Sequence, residues 1–161
     1  MGAGAAGALG AKLAAPDKPV VCLTGDSGFL MVSHVVATAV EWDIPVTWVI
    51  WNNGGYGLAR TEGEVASLSR FIRHATGEPL TPDYAALARS YHAEGIRVDA
   101  PGELGDALEH AIASNRPTVI DVVVDPTVAP VAVGTTQWPP HPPRPIEYPR
   151  DSFMGRSTLK P

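Results

Sequence analysis

Asp26 and Asn53 are the residues of this chain whose types and settings best suit a metal and a phosphate. Asp26 stands in Gly25-Asp26-Ser27-Gly28, and Asn53 in Asn52-Asn53-Gly54-Gly55-Tyr56-Gly57. A hard divalent cation such as Mg²⁺ takes oxygen ligands in octahedral geometry and usually combines a few protein groups with phosphate oxygens of its substrate. Asp26 can give a carboxylate, Asn53 an amide oxygen and Gly55 a backbone carbonyl. The surrounding glycines let the main chain approach a phosphate closely. Taken singly, Asp26 suits a helix N-cap and Asn52-Asn53-Gly54-Gly55 an ordinary turn. The two together, each directly after a strand, point to a metal-diphosphate clamp.

The strands are legible as β-branched apolar runs, Val20-Val21-Cys22-Leu23-Thr24 and Val46-Thr47-Trp48-Val49-Ile50-Trp51. Such runs read as buried parallel strands, and open α/β sheets bind ligands beyond their carboxyl ends. Phe29 to Trp42 reads as a helix after Gly28, whose free N–H groups and dipole favour an anion. Ala5 to Leu13 reads as a helix of small residues, closed by Pro16. Leu58 to Thr76 reads as a loop with a short helix. Asp83 should N-cap an amphipathic helix carrying Tyr84, Leu87, Ala88 and Tyr91. Gly95 to Val98 reads as a strand, Glu103 to Ala113 as a helix and Thr118 to Val124 as the last strand. This alternation predicts an α/β fold, a parallel sheet with helices on both faces. Prolines at 130, 139, 140, 142, 143, 145, 149 and 161 then mark a change of composition. The chain is expected to divide into an α/β domain over 1–126 and a Pro-rich extended C-terminal arm over 127–161. That arm could lie across a partner through Trp138, Tyr148 and Phe153, or be a disordered tail.

The stretch from Gly25 to Gly57 resembles the thiamin diphosphate (ThDP) motif, Gly-Asp-Gly followed after a helix and a strand by Asn-Asn. Acetolactate synthase, benzoylformate decarboxylase and pyruvate decarboxylase carry it. Met1-Gly2-Ala3-Gly4-Ala5-Ala6-Gly7-Ala8-Leu9-Gly10-Ala11-Lys12 is similar to the family's Met-Gly-x-Gly-Leu-Pro-Ala-Ala-Ile-Gly-Ala-Lys, and the resemblance runs on to Asp125. The chain departs from the pattern at Ser27, where the family has Gly, at Ala5-Ala6 for Leu-Pro and at His34-Val35 for Gln-Glu. The resemblance implies the diphosphate-binding domain of a ThDP enzyme, N-terminally incomplete. It assigns Asp26, Asn53 and the Gly55 carbonyl to Mg²⁺. Cofactor contacts fall to Met1, Gly25, Asp26, Ser27, Gly28, Asn53, Gly55 and Tyr56. Met1 lies where the acetolactate synthase branch places the apolar wedge beneath ThDP, although packing of the loop explains Tyr56 equally well.

Composition narrows the alternatives. At 161 residues and 45% apolar content the chain can bury one core, short of the three domains of a complete enzyme of the resembled type. A formal charge of -5, without a basic stripe, argues against nucleic acid. No apolar run approaches the roughly 20 residues of a membrane span, no signal peptide is evident, and position 6 is Ala where myristoylation wants Ser or Thr. A cytoplasmic protein is expected. The lone Cys22 reads as a small buried hydrophobe. His34, His74, His92, His110 and His141 show no metal-ligand spacing. Gly2-Ala3-Gly4-Ala5-Ala6-Gly7 fits a dinucleotide fingerprint as well, but that motif requires a strand before Gly2.

The resemblance implies decarboxylation and/or carboligation of a 2-oxo acid, acetolactate synthase-like first and benzoylformate decarboxylase-like second, by a lyase or transferase whose cofactor supplies the hard chemistry. The family's activating glutamate lies on another domain, and no glutamate here matches its motif. No catalytic residue is therefore assigned to this chain. A partner chain carrying the pyrimidine-binding domain is expected, in a hetero-oligomer with a dimeric or tetrameric core, unless the sequence is a fragment of a longer one. A regulatory or scaffolding paralogue without turnover is the alternative class, and an NAD-binding Rossmann domain a remoter one.

Overall fold

The computed structural model describes residues 1–56, 71–73 and 75–126. The Pro-rich arm, His74, His141 and most of the expected loop from Leu58 lie outside these residues. The elements run α1 Ala3–Ala14, β1 Val21–Gly25, α2 Asp26–Leu30, α3 Val35–Glu41, β2 Thr47–Asn52, α4 Tyr84–Ser90, β3 Glu94–Val98, α5 Glu103–Ser114 and β4 Thr118–Val123. The four strands form one parallel sheet in the order β1-β2-β4-β3.

The order accounts for the placing of the helices. The crossovers from β1 to β2 and from β2 to β3 advance across the sheet one way, and the crossover from β3 to β4 returns. Right-handed connections put helices of opposite travel on opposite faces. One core accordingly joins α1, α2, α3 and α4 to Trp48, Ile50 and Val119, and a second joins α5 to Val49, Ile120, Val122 and Val98. Alternate residues of β2 and β4 thus enter different cores, and both strands are apolar at their centres except for Asp121 in β4.

Polar groups lock the first layer. Trp48 Nε1 donates to Ala5 O at 3.0 Å, tying β2 to α1. The buried Lys12 donates to Pro16 O and Lys18 O, both at 2.8 Å, and so closes the turn into β1. Gly95 sits where a Cβ would run into the carbonyl of Ala85, so α4 lies directly on the backbone of β3.

One expectation needs correction. The single helix over Phe29 to Trp42 is two short helices joined by a tight turn, with Val32 N bonded to Phe29 O, Val35 N to Val32 O and Val36 N to Ser33 O. Val32 packs against Gly2, which has φ +81°. That packing, rather than helix propensity, decides the path here. Gly4 and Gly7 lie inside α1, so the Gly2–Gly7 stretch forms no phosphate loop after a strand. Among the described residues no helix is long and apolar enough to cross a membrane.

Candidate functional site

Gly25 pairs with Trp51 at the carboxyl ends of β1 and β2, so the segments that follow, Asp26-Ser27-Gly28 and Asn53-Gly54-Gly55, emerge side by side. Asp26 is buried in the first turn of α2. Its Oδ1 accepts from Ser27 N at 2.7 Å and its Oδ2 from Gly55 N at 2.9 Å. Burial pushes the Asp26 carboxyl above the usual carboxylate range, while the backbone N–H groups of Gly55, Ser27, Gly54 and Asn53 pull it back. The two motifs are therefore joined through one carboxylate.

The helix expected to open after Gly28 opens at Asp26 and has five residues. Ser27 N, one of its first N–H groups, is already taken by Asp26. The anion-directed helix terminus expected there is thus a single turn organised around the acid. Gly28 faces the start of the chain. A Cβ on Gly28 would lie 3.8 Å from Gly2 N, and one on Gly2 3.7 Å from Gly28 O. Met1 is exposed beside this contact. Tyr56, partly exposed, packs edge-on against Phe71, with ring centroids 5.7 Å apart.

The second motif is held from below. Asn52 is buried, and its Nδ2 donates to Asp121 Oδ1 at 2.8 Å while its Oδ1 accepts from Gly54 N at 3.3 Å. Gly54 takes φ +74°, and its carbonyl accepts from Phe71 N at 2.9 Å. Asp121 has no exposed surface and also accepts from Tyr84 N at 3.1 Å and from Arg97 Nη1 at 3.2 Å. Burial raises the Asp121 carboxyl, and the bonds from Asn52, Tyr84 and Arg97 oppose it. Sequence reasoning missed Asp121, Arg97 and Tyr84. The available signal was Asp121 itself, an acid within Thr118-Val119-Ile120-Asp121-Val122-Val123, because a carboxylate inside a buried strand must be paired.

The donor set fits a divalent cation completed by a phosphate. The Asp26 carboxylate accepts from Ser27 N and Gly55 N and is the anionic oxygen donor of the two motifs. Among the described residues there is no group of three or more His, Cys, Asp or Glu that could hold a metal ion. A cation here would therefore depend on Asp26, neutral oxygens and its anion, the pattern suited to Mg²⁺ bound with a phosphate. Gly55 commits its N–H to Asp26, whereas the expected metal contact uses its carbonyl. His110 lies apart from this site on α5, where its Nε2 meets Glu94 Oε1 at 2.6 Å.

Known proteins resemble most of this chain. The family profile "Thiamine pyrophosphate enzyme, C-terminal TPP binding domain" matches residues 1–122. The chain is 40% identical over 129 residues to a "Probable acetolactate synthase large subunit" of Methanocaldococcus jannaschii, covering 80% of this chain and 22% of that protein. It is 36% identical over 126 residues to the acetolactate synthase large subunit of Haemophilus influenzae, covering 78% and 22%. A solved structure, the Rhodococcus jostii RHA1 thiamine diphosphate-dependent 4-hydroxybenzoylformate decarboxylase, superposes with a TM-score of 0.65 at 30% identity, covering 78% of this chain and 23% of that one. The chain thus spans about a fifth of the length of the relatives it matches.

Proposed function

The chain belongs to the thiamine pyrophosphate enzyme family through its C-terminal TPP binding domain, and on that premise we propose that it is the diphosphate-binding part of a ThDP- and Mg²⁺-dependent enzyme acting on 2-oxo acids. The observation that carries this reading is the meeting of both motifs on the Asp26 carboxylate. Asp26, Asn53 and the Gly55 carbonyl would hold Mg²⁺, with Ser27 and Gly28 against the diphosphate. When bound, ThDP would supply the nucleophile and the electron sink that cleavage beside the carbonyl of a 2-oxo acid requires. The chain's own residues bind and orient the charged end of the cofactor. Asp121 and Asn52 fix the loop that carries Asn53, and Asp26 holds that loop against α2.

The acetolactate synthase relatives favour carboligation of a 2-oxo acid, with decarboxylation without ligation second. We place the activating glutamate on a partner chain with the pyrimidine-binding domain, in a cytoplasmic hetero-oligomer. The test is Mg²⁺-dependent ThDP binding by the protein isolated from its own cells with whatever copurifies. Asp26→Ala and Asn53→Ala are each expected to weaken binding by roughly a hundredfold or more, as loss of a contact to a charged group implies. Unchanged affinity in both variants sinks the site assignment. Binding without turnover of any 2-oxo acid would instead indicate a non-catalytic paralogue.

A further inference from the structure

Tyr84 opens α4 with its backbone N–H on Asp121 and its ring edge-on to Phe29, centroids 5.9 Å apart at 74°. Phe29 lies three residues beyond Asp26 on α2, so the ring is held against the helix that begins at the candidate metal ligand. The side chain is fully buried, yet its hydroxyl has no hydrogen-bond partner among the described residues. Burial pushes the Tyr84 phenol upward, and the carboxylates of Asp26 and Asp121 push it the same way. The Asp26 and Asp121 carboxylates are already engaged by Ser27, Gly55, Asn52, Arg97 and the Tyr84 backbone.

A buried O–H without an acceptor forfeits its hydration for nothing, and such groups are rare in folded proteins unless water, an ion or a ligand supplies the partner. Phenylalanine would fill the same space without that loss. Building on the assignment of Asp26 and Asn53 to a metal-diphosphate clamp, we infer that Tyr84 is a further cofactor-binding residue, its hydroxyl donating to an oxygen of the diphosphate. A phenol suits the position. It donates without the positive charge that would repel the metal and without adding negative charge beside Asp26.

The experiment compares wild type and Tyr84→Phe, each isolated with its copurifying chains, by titration of ThDP in Mg²⁺ followed by calorimetry, by competition with inorganic pyrophosphate in Mg²⁺, and by thermal melting without cofactor. The expected result is ThDP affinity lowered by roughly ten- to a hundredfold, as for a hydrogen bond to a charged acceptor. Pyrophosphate should weaken by the same factor, with the melting temperature unchanged or raised. ThDP affinity equal to wild type overturns the inference and leaves the clamp standing. So does a loss confined to ThDP, which would put the phenol elsewhere along the cofactor, and so does a lowered melting temperature, which would reveal a partner within the protein. A wild type that binds no ThDP overturns both the clamp and the inference.

Discussion

Asp26 does more than the metal ligation proposed for it requires, because its two oxygens gather the N–H groups of Ser27 and Gly55 before any ligand arrives. The acid therefore prepays part of the ordering of the Asn53-Gly54-Gly55 loop, which would otherwise fall on cofactor binding. Removing it leaves two donors unmatched in a buried place. Asp26→Ala is thus expected to lower the stability of the cofactor-free protein by about 1–3 kcal/mol, measured by denaturant unfolding. No loss of stability would mean that the carboxylate serves only the ligand. At this scale the sequence was informative about types: a carboxylate and an amide, each after a strand and flanked by glycines, stand together as their spacing predicts. Their partners were not legible. Nothing in Gly25-Asp26-Ser27-Gly28 announces a bond to Gly55 N, 29 positions away, and nothing in Asn52-Asn53 says which of the two faces down to Asp121.

Strand β4 is the element that couples the site to the rest of the sheet. Asp121 pairs in register with Ile50 of β2 and Arg97 of β3, and its carboxylate gathers Asn52, Arg97 and the first N–H of α4. Burial is the largest influence on this acid and raises its pKa above the ordinary 3.8. A group raised in the folded state binds its proton more tightly there than in the unfolded chain. Its stabilisation is therefore complete below the unfolded value and is lost as pH rises through the folded one. Wild type should consequently gain stability relative to Asp121→Asn as pH falls from neutrality toward 4, with a slope no steeper than about 1.4 kcal/mol per pH unit. Paired denaturant titrations across that range measure the difference. A wild type that instead loses ground as pH falls would mean that the charged bond to Arg97 outweighs burial. Element boundaries were otherwise legible to within a residue or two, since β-branched runs, Asp83 at its N-cap and Pro117 before β4 all act locally. The break at residues 31–34 was not, because it depends on Val32 meeting Gly2 across the fold.

At the scale of the whole molecule the sheet is covered unevenly. Helix α5 packs on β2, β3 and β4, while β1 pairs with β2 alone among the described strands. On the α5 side this leaves Val21, Leu23 and Trp51 at the surface, with Leu23 68% exposed. Aligned apolar side chains beside a strand edge that is unpaired among the described residues invite association. They face away from Cys22 and Thr24, which serve the α1 layer, so changing them need not disturb the first core. The continuous apolar run of β1 predicts burial on both faces, and the exposed half is what a partner chain of the kind proposed would cover. Leu23→Lys is accordingly expected to keep the far-ultraviolet circular dichroism and melting temperature of wild type, because the side chain it replaces contributes little buried area. It should shift the native mass measured by sedimentation toward the 16.9 kDa of the single chain. Two copies joined through this face would give a homogeneous doubled mass for wild type, whereas a different chain would appear as a second band in fixed ratio. A variant whose native mass matches wild type would mean that the β1 face stays open to solvent in the assembled protein, and that any partner docks elsewhere.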